Sequence, residues 1–152
     1  MTALGKIQQW IQSFPEYDAL ESFQADYTSA APGSGGIMPS GLTEISRTAD
    51  ITGGITVTNQ YTFTLYFVFA KAADDAEGSL KNAEWLLAFQ EWVQEQSVLG
   101  KAPQFGDEKR KETIKAQNGA LIGTDEEGTA LYSVQLTISF IKKFKEDNVW
   151  PT

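Results

Sequence analysis

An α+β fold, an antiparallel sheet with helices packed on one face and a projecting long β-hairpin, is predicted from three stretches of the 152-residue chain. From Ile55 to Lys71, Ile55, Val57, Tyr61, Phe63, Leu65, Phe67 and Phe69 alternate with Thr56, Thr58, Gln60, Thr62 and Thr64, the period of a strand buried on one side. From Thr129 to Phe144, Tyr132, Val134, Leu136, Ile138 and Phe140 alternate in the same way with Ser133, Gln135, Thr137 and Ser139. Between them, Trp85, Leu86, Phe89, Trp92, Val93 and Gln96 fall on one side of a helix, with Glu84, Glu91, Gln94 and Glu95 opposite.

The remaining elements follow in chain order. Leu4, Ile7, Trp10, Ile11 and Phe14 recur at helical spacing, so Ala3 to Phe14 is predicted as an amphipathic helix stopped by Pro15. Leu20 to Tyr27 alternates and reads as a half-buried strand. Ala30 to Gly36 holds the densest set of turn formers and reads as a loop. It has no Gly-Lys-Ser/Thr continuation and no following helix, so it is not a phosphate cradle. Leu42 to Ile51 reads as a weak strand, joined to the long strand by a hairpin whose tip is Gly53-Gly54. At ~3.3 Å per residue the long strand exceeds what a small domain needs, so its first third is expected to project as a ribbon arm.

The second helix is predicted from about Ser79 to Ser97, with Asp74, Asp75 and Glu77 at its entrance, where acidic groups favour the positive end of the helix dipole. Leu99-Gly100 closes it. Gly106 to Glu112 is a solvated run of mixed charge, Thr113 to Ile122 a strand and Gly123 to Gly128 a turn. Asp125, Glu126 and Glu127 in that turn lack the alternating oxygen ligands of a calcium loop.

Composition narrows the function. The length and 41% apolar content suit one core, hence a single domain over residues 1–152, with 31–59 as its loop and hairpin arm. The chain has neither cysteine nor histidine, which removes disulfides, thiolate nucleophiles, imidazole bases and nearly every transition-metal site. No cofactor, metal or catalytic residue is expected. The net charge of −8 argues against general nucleic-acid binding. No stretch approaches the ~18 apolar residues of a membrane helix, and the N-terminus turns polar too soon for a signal peptide; a non-membrane protein of the cytoplasm where it is made is expected.

The second half of the chain resembles the small tail terminator or tail-completion proteins of tailed bacteriophages and prophages, often labelled minor capsid proteins. The matching residues are Glu91-Trp92-Val93 with Gln96, Gly100-Lys101-Ala102-Pro103, Gly119-Ala120-Leu121, and Ala130-Leu131-Tyr132-Ser133-Val134-Gln135 continuing to Phe144. Pro32-Gly33-Ser34 before the long hairpin fits the same pattern. The resemblance implies a virion structural protein of the tail or neck, assembled in the bacterial host cytoplasm. It implies a homo-oligomeric ring, most often a hexamer, that caps the tail tube, stops its growth and joins it to the head. Its partners would be its own copies, the tail tube protein and the head-tail connector proteins, with DNA passing through without specific binding.

A closed ring needs a patch that meets a different patch on the neighbour. The arm from Leu42 to Asn59 is the natural candidate, and Ile37, Met38, Leu42, Ile45, Ile51, Ile55 and Val57 are its expected interface residues. Ala31 to Asn59 is expected to be mobile in an isolated subunit and ordered on assembly. Two other readings are open: a small-ligand domain with a pocket between the Trp85 and Trp92 helix and the sheet, and an enzyme using Asp74, Asp75, Asp125 and Glu126 as paired carboxylates.

Overall fold

A computed structural model describes residues 2–20, 22–25, 32–70, 76–108, 112–124 and 128–145. Helix α1 (Ala3–Ile11) starts where the Thr2 hydroxyl accepts the Gly5 N–H at 3.1 Å, and a short 3-10 helix follows over Tyr17–Ala19. Strands β1 (Ser22–Ala25), β2 (Ser34–Ala49) and β3 (Gly54–Ala70) precede helix α2 (Ala76–Val98). Strands β4 (Thr113–Thr124) and β5 (Thr129–Lys145) complete the order. The fold is α+β, with one sheet in the order β1-β2-β3-β5-β4.

The faces of β3 and β5 follow the alternation. Phe63, Leu65, Phe67 and Phe69 of β3 and Tyr132, Val134, Leu136, Ile138 and Phe140 of β5 are buried, while the Thr-rich face of β3 is half exposed. The stripe of α2 packs on them, with Trp85 edge-on to Phe67 at a centroid distance of 4.9 Å and Phe89 at 5.6 Å. Helix α1 lies on α2 through Trp10, whose ring stacks on Trp92, and Phe14 reaches Phe89. Helix α2 ends in a left-handed Gly100 (φ 69°). The N–H groups of Gly100 and Lys101 donate back to the Ser97 and Gln96 carbonyls, a Schellman closure.

Three expectations need correction. The sheet is not wholly antiparallel: β1 joins β2 in parallel, Ser22 opposite Ser34 and Ala25 opposite Ile37. Ser34 to Gly36 is buried strand rather than loop. Gly35 lies between Phe23 and Phe67, whose ring centroids are 6.2 Å apart, and a Cβ there would stand 2.6 Å from the Phe23 ring. Glycine thus lets an edge aromatic cross β2 and reach the core. Finally, the hairpin is not a free two-stranded ribbon. β5 pairs with β3 from Ala70↔Thr129 to Gly54↔Lys145, so the projecting part has three strands.

Candidate assembly surface

β4 begins at Thr113, opposite Ser139, so β5 runs on beyond it and carries β2 and β3 outward as a three-stranded extension. Its underside, the face that continues from the helices, is sealed first by a loop. Phe105 meets Tyr61 (5.5 Å between centroids) and Phe140 (5.8 Å). Lys6 lies over the Phe105 ring and donates to the Gln104 carbonyl at 2.8 Å. The buried Glu112 carboxylate accepts the Phe105 and Gly106 N–H groups at 3.0 and 2.8 Å. Asp107 then takes the place of a strand beside β5: its N–H donates to the Ile141 carbonyl and its carboxylate accepts the Lys143 N–H at 2.7 Å. That N–H, with the Lys142 and Lys143 charges, holds the Asp107 carboxyl below its ordinary value.

Beyond the loop, Val57 pairs with Arg47 and Lys142, and Ile55 with Ala49 and Phe144, all on the underside. Two irregularities in β2, between Pro39 and Gly41 and between Glu44 and Ser46, each insert a residue against β3. The second puts Glu44 and Arg47 on the same face, where they form an exposed ion pair at 2.7 Å. At the tip, the Asp50 carboxylate accepts the Thr52 hydroxyl and the Thr52 and Gly54 N–H groups, and these bonds, the hydroxyl's foremost, hold its pKa down.

The expected interface residues divide. Leu42 is 56% exposed, Ile45 53%, and Ile51 at the tip wholly so. Met38 and Ile55 are half buried. Ile37, at 0%, belongs to the core beside Leu65, and Val57 is 5% exposed, so neither is a surface residue of the subunit. Ile37 reads as arm because the glycines around it mask its pairing with β3; Val57 reads as arm because the two strands that flank it, β2 at Arg47 and β5 at Lys142, come from distant parts of the chain. Exposed Phe144, Leu121 and Ile122 were missed as surface candidates. Phe144 was legible, since it continues the β5 alternation past the reach of the helices.

The space between α2 and the sheet is filled by Trp85, Phe89, Trp92 and Phe67 rather than open as a pocket. A cavity of about 770 Å³ lies to one side, near Phe69, Asn82 and Trp85. Two polar groups on its wall have partners: the Asn82 amide donates to the Ala70 carbonyl at 3.2 Å and the Trp85 indole to the Glu16 carbonyl at 2.9 Å. Asp74, Asp75, Asp125 and Glu126 lie outside the described residues. Among the described residues no three acidic side chains gather as a metal site, and no helix is long and apolar enough to cross a membrane. No family model matches the chain, and a search of curated proteins finds no match.

Proposed function

We propose that this chain is a structural subunit of a phage tail, a terminator that forms a ring on the end of the tail tube and joins it to the head. The observation that carries the reading is the three-stranded extension with Ile45 and Ile51 in solvent and Leu42 exposed at its base, because apolar side chains left exposed along one projection mark a contact. The resemblance in Glu91-Trp92-Val93, Gly100 to Pro103 and Ala130 to Phe144 points to the same role. The excess of acidic residues suits a bore through which DNA slides, because a negative wall repels phosphate. No catalytic step enters this reading.

Electron microscopy of the purified chain, alone and with tail tubes, is the test. Rings seated on tube ends are expected. Strict monomers that leave tube length unchanged would sink the proposal.

A further inference from the structure

The sheet has two edges, and each is open over only part of its length. On one side, β1 covers β2 from Ser34 to Ile37, after which Pro39 to Ala49 is exposed throughout. The Asp50 N–H donates to the Gly54 carbonyl, so the Asp50 backbone faces β3, and alternation turns the N–H and C=O of Ala49 and Arg47 outward. On the other side, α2 caps the start of β4. The Ser97 hydroxyl accepts the Ile114 N–H and the Gln90 amide donates to the Ala116 carbonyl, both at 3.1 Å. Past the irregularity between Gln117 and Ala120, where Asn118 is left-handed (φ 58°), Ala120–Thr124 is exposed, uncharged and carries Leu121 and Ile122. An uncharged apolar strand edge is a template for another strand.

We infer that the open part of β2 in one subunit pairs with the open end of β4 in a second copy of this chain. This deepens the ring reading and rests on it for the identity of the partner. Direction supports it: β2, β3, β5 and β4 alternate, so a neighbour set beside the sheet without inversion brings its β4 antiparallel to β2. Position supports it too. The open part of β2 lies opposite the β3 residues that pair with Leu136–Phe144 of β5, whereas the open end of β4 lies opposite Ala130–Ser133, at the other end of the sheet. Joining the two therefore staggers each subunit along the strands, and a constant stagger with strand tilt is what closes a sheet on itself. The contact uses two different patches, the kind that propagates around a ring.

Two double variants test this, both placing charges at exposed positions: Leu42→Asp with Ile45→Asp on β2, and Leu121→Asp with Ile122→Asp on β4. Native mass spectrometry of the full chain should give an oligomer for the wild type and a monomer for each variant alone. An equal mixture of the two should give a two-chain species and nothing larger, since each retains one intact patch. If the β2 variant melts early, Ala49→Pro replaces it, because that N–H faces out of the sheet.

Self-association by either variant, or a mixture that stays monomeric tenfold above the concentration at which the wild type assembles, overturns the edge pairing. In the first case a wild-type ring would still stand as a ring. Wild-type filaments or open chains abolished by both variants would keep the edge pairing and overturn the ring. A wild type that remains monomeric at millimolar concentration overturns both.

Discussion

The indole of Trp10 stacks on that of Trp92 with centroids 4.6 Å apart and planes inclined by 26°, and its N–H donates to the Gln96 side chain at 3.1 Å. This one residue fixes α1 to α2 by an apolar and a polar contact at once. Trp92→Ala should cost ~3–5 kcal/mol, a large share of the ~5–15 kcal/mol that holds a typical domain folded. Trp10→Phe keeps a ring for stacking but leaves the Gln96 oxygen without this donor, and should cost about 1 kcal/mol. Urea unfolding followed by fluorescence measures both; equal losses would show that the stack contributes little.

The two faces of β3 should respond differently to charge. Phe67 is fully buried against Trp85 and Phe89, so Phe67→Asp places an unpaired carboxylate in the core and should abolish cooperative unfolding. Thr64 lies half exposed on the opposite face. Thr64→Asp should lower the melting temperature by only a few degrees, as read by circular dichroism.

The loop beneath the extension should depend on Glu112. Its carboxylate holds two N–H groups, and hydrogen bonds to a charged acceptor contribute ~1.5–3 kcal/mol each, so Glu112→Ala should cost about 3 kcal/mol. Glu112→Gln retains an acceptor oxygen and should cost less than half of that. Hydrogen exchange at the Phe105 and Gly106 amides should rise in the same order. Gly106→Ala should mimic the alanine variant, because its Cβ would overlap the Ile141 backbone.

Acid should loosen the same loop. The Asp107 carboxyl lies below its ordinary value of 3.8, chiefly through the Lys143 N–H, so between the two values the unfolded chain binds more protons than the folded one. Its contribution is complete above the unfolded value and is lost as pH falls through the folded one. The stability difference between wild type and Asp107→Asn should therefore be constant near neutrality and shrink below about pH 4. A difference that grows with acid would reverse the sign.

Strands β3 and β5 and helix α2 were legible because each has one wet and one dry face, and period alone then sets which side chains enter the core. The faces of Phe67 and Tyr132 followed directly. β2 reads as weak because its extra residues near Ser40 and Ile45 shift the alternation, so that Ile37, Leu42 and Arg47 share a side without sharing parity. The glycines at 35 and 36 read as loop because what Gly35 permits, the passage of the Phe23 ring, depends on a residue from another strand. The parallel direction of β1 leaves no mark in a period of two. Of the candidate assembly surface, Leu42, Ile45 and Ile51 are visible in the sequence as apolar residues without a core partner. Leu121 and Ile122 were hidden, because a continuous apolar pair inside a strand looks like core until the end of helical cover is known.

The full-length pairing of β3 with β5 has a consequence for synthesis. The partners are far apart in the chain, Gly54 with Lys145 at the extreme, and β5 is made last of the five strands. While the ribosome is still producing β4, the β2–β3 hairpin can form, but the inner edge of β3 has no strand beside it. Non-local pairing of this kind closes slowly and leaves the nascent chain open to wrong partners in the interval. The threonines at 56, 58, 62 and 64 keep one face of that waiting strand wettable, so the hairpin that becomes the middle of the sheet can remain dissolved until its second neighbour arrives.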